Sequence, residues 1–177
     1  MRGAGDLLGE DQADHMKLIG VDLYQHLLRI ALQAARGENA ERWSPDLNFG
    51  TTGALPESWI PEADLRLSLY VRLARIETDD ALDAFEDELL DRFGPFPAEA
   101  AMLLAHALIR LAARALQIAR IDAGPAAIAF TLRRDCSIDF AGTSLVESKG
   151  RWILAEVISS EADRFAHVES LLHGFGS

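Results

Sequence analysis

The sequence predicts an α+β domain, with several amphipathic helices around one buried helix and a small, mostly antiparallel sheet in the C-terminal third. Three observations predict it. Apolar residues recur at helical spacing in separate stretches before residue 117. One of those stretches, AEAAMLLAHALIRLAARAL, is apolar nearly all the way round, the pattern of a helix with no solvent face. Past Gly124 and Pro125 the texture changes to short β-type runs separated by polar turns.

The elements follow in order. Gly3, Gly5, Gly9 and Gly20 interrupt any helical repeat in residues 1–20, which read as an extended lead-in. Residues 21–177 form the domain proper, divided into a helical part over 21–120 and a sheet with a closing helix over 121–177. Asp22 is the expected N-cap of a first helix, with Leu23, Leu27, Ile30, Ala31 and Ala34 at helical spacing and Gly37 as its stop. DLNF at 46–49 reads as a short strand, and LPESWIP at 55–61 as a segment held extended by its two prolines.

Leu65, Leu69, Leu73 and Ile76 share one face of the next helix. Thr78 caps the one after it, with Asp79 and Asp80 in the first turn, where carboxylates favour the helix dipole; Gly94 and Pro95 end it. In this helix Leu82, Phe85, Leu89 and Phe93 fall on one arc and Asp80, Asp83, Asp87 and Asp91 on the opposite one. Pro97 suits the first position of the buried helix. IDAGP at 121–125 is a turn, and AAIAFTL, CSIDFAG and RWILAEV are strands. SEADRFAHVESLLHGF closes the chain as an amphipathic helix with Phe165, Val168, Leu171 and Leu172 inward.

Composition narrows the function classes. The 177 residues are 49% apolar and 25% charged, which fits an ordinary folded domain, and no run approaches a membrane span. A formal net charge of -11 excludes a general nucleic-acid surface, which needs clustered Lys and Arg, and points to solvent or a basic partner. Cys136 has no second cysteine for a disulfide or a CxxC site, and MRGAGDLLGEDQ lacks the apolar core of a signal peptide. A cytoplasmic monomer is expected.

No phosphate-loop, Rossmann or nucleophile-elbow spelling occurs, so neither a cofactor nor catalysis is expected. The histidines, His15, His26, His106, His167 and His173, have no partner at ligand spacing, so no metal site is expected of them. The feature left over is the aspartate ladder, in which each like-charged neighbour pair costs about 0.2–0.5 kcal/mol in an exposed helix. It is either a solvated face or one matched by a cationic partner. A carboxylate metal-binding or hydrolytic site on Asp83, Asp87 and Asp91 is the alternative.

Four stretches in order, RGAGDLLGEDQ at 2–12, LPESWIP with LRLSLYVRLA at 55–74, DELLDRFGPFP at 87–97 and IDAGP at 121–125, resemble the C-terminal end of bacterial transcription-repair coupling factors (Mfd). In that family a multidomain ATP-driven DNA translocase removes stalled RNA polymerase and recruits the repair protein UvrA. The resemblance implies that residues 2–12 end the translocase's TRG motif, with Arg2 and Gln12 as motor-coupling residues. It implies that the rest is a non-catalytic, autoinhibitory domain that docks on the N-terminal UvrB-like module of the same chain, masks UvrA binding and restrains the motor. DELLDRFG would supply the contact, assigning Glu88, Asp91, Asp87 and Arg92 to the interface. No direct contact with nucleic acid or membrane is implied, and UvrA and RNA polymerase are indirect partners.

Overall fold

Local chemistry sets most of the helix boundaries in the computed structural model, which describes residues 43–176. Helix α1 runs over Ala63–Arg75, α2 over Asp79–Phe93, α3 over Ala98–Ala115 and α4 over Glu161–Phe175. Thr78 caps α2 by accepting a hydrogen bond from the Ala81 N–H, and Ser160 caps α4 through the Asp163 N–H. Gly94, at φ +82°, closes α2 with its N–H on the Leu90 carbonyl.

Two arginines at the fourth helical position brace the chain that leads into their helices. Arg66 Nη1 donates to the Ile60 and Pro61 carbonyls at 2.6 and 2.9 Å. Arg164 Nη1 donates to the Ile158 and Ser159 carbonyls at 2.9 and 3.0 Å. A third, Arg110 of α3, is buried and donates to the Leu73 and Ile76 carbonyls, so its charge meets the negative end of the α1 dipole.

Five strands, β1 (Asp46–Asn48), β2 (Ile118–Ala123), β3 (Ile128–Leu132), β4 (Val146–Ser148) and β5 (Arg151–Leu154), form one sheet in the order β1-β2-β3-β5-β4. Among the described residues only the β1–β2 pair is parallel, with Leu47 opposite Ile121. A parallel neighbour needs a crossover, and here α1, α2 and α3 are the crossover. Lys149 and Gly150, at φ +53° and +77°, make the two-residue turn between β4 and β5.

The described residues form two cores, and α3 belongs to both. Ala100, Leu103, Leu104, Ala107 and Leu111 face α1, α2 and the 55–60 loop, packing with Leu73, Leu82, Phe85 and Leu89. Ile109 and Ala113 face the sheet and α4, packing with Ile121, Phe130, Phe165 and Val168. His106 lies between Phe49 and Phe165, with ring centroids 6.3 Å from each. Burial, aided by the nearby Arg110 charge, lowers its pKa to about 4, so it is neutral at pH 7.

Several local expectations are corrected. LPESWIP is not extended throughout: the Pro56 carbonyl accepts from both the Trp59 and Ile60 N–H groups, folding 57–59 into a turn. Pro56 can open a turn as readily as it holds an extended chain. The IDAGP turn begins only at Gly124, because Ile121–Ala123 complete β2 against β3. CSIDFAG is not a strand, although Phe140 is buried and stacks on Trp152 at 4.7 Å. Its apolar residues anchor an irregular loop, and the edge is taken instead by β4, whose side chains are all exposed and gave no alternating signal. Pro97 is the N-cap of α3 rather than its first residue. The expected helix over 22–37 lies outside the described residues.

Leu82, Phe85 and Leu89 are buried, as the pattern of α2 predicts. Phe85→Ala should cost about 3–5 kcal/mol in urea unfolding, because a close-packed site cannot collapse around the missing ring. Gly53→Ala should cost at least about 2 kcal/mol by the same measurement. At φ +72°, its added Cβ would lie 2.2 Å from the Leu103 backbone nitrogen, so loop and helix must separate.

Candidate docking face on helix α2

Helix α2 is held from three sides. Its apolar arc packs on α3, Thr78 fixes its start, and at its end Trp59 Nε1 donates to the Phe93 carbonyl at 3.0 Å. The Trp59 ring also meets Phe93 and Phe96 edge-on, each at 5.7 Å. With that arc committed to the core, Asp80, Asp83, Asp87 and Asp91 are all exposed. Among the described residues Asp83, Asp87 and Asp91 have no ion-pair partner. The ladder's mutual repulsion registers on Glu86, whose carboxyl is pushed up by partial burial and then by the Asp83 and Asp87 charges.

Glu88 is different. Arg72 of α1 grips its carboxylate with both Nη atoms, at 2.9 and 2.6 Å, and Arg92, one turn along α2, adds a third hydrogen bond at 2.7 Å. The Arg72 guanidinium lies over the Phe85 ring at 5.3 Å, and that of Arg92 over the Phe93 ring at 4.9 Å. Hydrogen bonds from Arg72 and then Arg92 lower the Glu88 pKa from 4.5 to about 2. Of the four DELLDRFG residues, Glu88 and Arg92 are joined in an ion-pair network, while Asp87 and Asp91 are exposed and have no ion pair among the described residues. Sequence reasoning missed Arg72. The Glu88–Arg92 spacing is visible in the sequence, but the Arg72 contact spans 16 residues between helices and leaves no local signal.

The alternative metal reading loses ground. Among the described residues no group of three or more His, Cys, Asp or Glu is arranged to hold a metal ion. Asp83, Asp87 and Asp91 lie side by side along the helix and do not converge on one point. Two clefts among the described residues are about 440 Å³ beside Val146, Ile153 and Glu156, and about 340 Å³ between α3 and the end of α4, near Leu108, Ala112 and His173, with Asp79 of α2 at its edge. No helix among the described residues is long and apolar enough to cross a membrane. Arg2 and Gln12 lie outside the described residues.

The Glu88 network predicts a pH-dependent contribution. A depressed carboxylate pKa contributes stability above the unfolded-state value and loses it as pH falls through the folded-state value. Glu88→Gln should therefore cost about 0.5–1 kcal/mol at pH 7, the range of well-formed surface pairs. The gap between variant and parent in urea unfolding should close as pH falls from about 4.5 to about 2.

A family model described as the TRCF domain matches residues 50–143. The chain is 36% identical over 128 residues to the transcription-repair-coupling factor of Escherichia coli (strain K12), covering 69% of this chain and 11% of that protein. It is 35% identical over 130 residues to that of Haemophilus influenzae, covering 70% and 11%, and 28% identical over 149 residues to that of Bacillus subtilis, covering 83% and 13%. The chain thus spans about a tenth of the length of these curated relatives. Its fold matches a crystal structure of the C-terminal domain of transcription-repair coupling factor with a TM-score of 0.57 at 19% identity, covering 76% of this chain and 97% of that one. The likeness establishes the α+β fold, and the matched residues, which include all of α2 and its acidic face, identify the chain as a member of the TRCF domain family.

Proposed function

We propose that this chain is a non-catalytic regulatory domain of a transcription-repair coupling factor, acting by docking on the N-terminal UvrB-like module of the same longer protein. Docked, it masks the UvrA-binding surface and restrains the ATP-driven DNA translocase that removes stalled RNA polymerase. Released, it frees both. Residues 1–20 belong to the end of the TRG segment, where Arg2 and Gln12 couple the motor, and residues 21–177 form the regulatory domain, a cytoplasmic monomer when separate.

The observation that carries this reading is the outer face of α2, where Asp83, Asp87 and Asp91 are exposed and unpaired among the described residues. Like charges kept in line on a rigid helix suit a partner surface carrying arginines, because charge-assisted pairs are strong and geometrically specific. Glu88 and Arg92 extend that face. A few modest pairs suffice for a reversible two-state clamp, since an equilibrium shifts only by the difference in affinity between states.

The test is charge reversal. Asp87→Arg with Asp91→Arg should leave the domain folded, surface changes being worth within about 0.5 kcal/mol. In the full-length protein the same pair should raise basal ATPase and tighten UvrA binding without a stalled polymerase, because like charges across an interface cost several kcal/mol. Reversing the facing arginines should restore part of the restraint. Unchanged ATPase and UvrA affinity would leave α2 as a solvated face and defeat the proposal.

A further inference from the structure

Glu88 lies within the proposed docking face, yet its carboxylate is already engaged. Arg72 holds both oxygens in a fork and Arg92 adds a third bond, so three of about four acceptor positions are filled from within the domain. A partner arginine cannot approach Glu88 in the same forked geometry while Arg72 is there. Arg72 is about half exposed, and with its guanidinium over Phe85 it has an apolar support to rest on and water to turn toward once displaced.

We infer that Arg72 is an internal competitor for the docking arginine, so that engagement of Glu88 exchanges one forked arginine–carboxylate pair for another. The inference rests on the proposed function and specifies how that contact is regulated. An exchange yields only the difference between two similar pairs, which keeps docking weak enough to reverse. Asp83, Asp87 and Asp91 have no such competitor among the described residues, so they attract the partner in either state. Arg72 comes from α1, outside the DELLDRFG segment, which makes the strength of docking adjustable without changing the face itself.

The experiment measures the Kd of this chain for the separately expressed UvrB-like module, with each variant's urea midpoint as a fold check. Arg72→Gln should tighten binding about two- to fivefold, the worth of an exposed pair. Arg72→Lys should fall between, because lysine keeps the charge but cannot form the fork. Arg75→Gln removes the same charge from the same helix at an exposed position with no ion pair among the described residues, and should leave Kd near the parent value. Competition is overturned if Arg72→Gln binds no more tightly than the parent, or if Arg75→Gln tightens binding equally, which would reduce the effect to net charge. If Asp87→Arg with Asp91→Arg abolishes binding while Arg72→Gln does not tighten it, docking stands and the exchange falls. If the parent does not bind the module, both fall.

Discussion

Helix α3 has to be buried on two opposite sides, and the rest of the structure is arranged around that requirement. Its apolar residues fall into two arcs. Ala100, Leu103, Leu104, Ala107 and Leu111 form one, and Ile109 and Ala113, with the half-buried Met102, Ala105, Ala112 and Leu116, form the other. A single layer of secondary structure covers one arc only, so the domain supplies α1 and α2 on one side and the sheet with α4 on the other. The polar residues of this helix are accommodated in keeping with that burial. His106 is held neutral by desolvation, and the Arg110 charge is placed against the carbonyl end of α1. The same requirement explains the parallel β1–β2 pair, since α1 to α3 are inserted between strands that both lie on the sheet side.

From this constraint follows the orientation of α2. Its hydrophobic arc is committed to α3, and its carboxylates therefore have only the outward direction left. The electrostatic cost is moderated unevenly. Asp79 and Asp80 sit at the positive end of the helix dipole, Glu88 is neutralised by two arginines, and the pKa of the Glu86 carboxyl is raised by partial burial and then by the Asp83 and Asp87 charges. Asp83, Asp87 and Asp91 receive no such compensation among the described residues. An uncompensated row on an otherwise well-buffered helix is the physical basis for the proposal that this face meets a partner.

The sheet half is built by different means from the helical half. Among the described residues β2 and β3 are the only strands of five residues or more, and their inward residues Ile121, Ile128 and Phe130 carry the sheet-side core. The loop between β3 and β4 contributes by burying Phe140 against Trp152 and Phe175 without joining the ladder. Packing of a few large rings substitutes there for regular hydrogen bonding. That substitution explains how apolar alternation at 136–142 coexists with irregular backbone.

The sequence by itself determined the helices of the described residues, the cap and stop of α2 and the inward faces, because those depend on interactions within four residues along the chain. Thr78, Gly94, Leu82, Phe85 and Leu89 are instances, as is the exposure of the aspartate ladder. It also identified the buried helix, since a segment without a polar face has nowhere else to go. Only the tertiary structure decided which strands pair, that Ile121–Ala123 belong to a strand and 136–142 do not, and that Glu88 is held by Arg72. Strand partners and cross-helix ion pairs are selected by three-dimensional proximity between residues tens of positions apart, or 16 in the case of Arg72, and no local periodicity records that proximity.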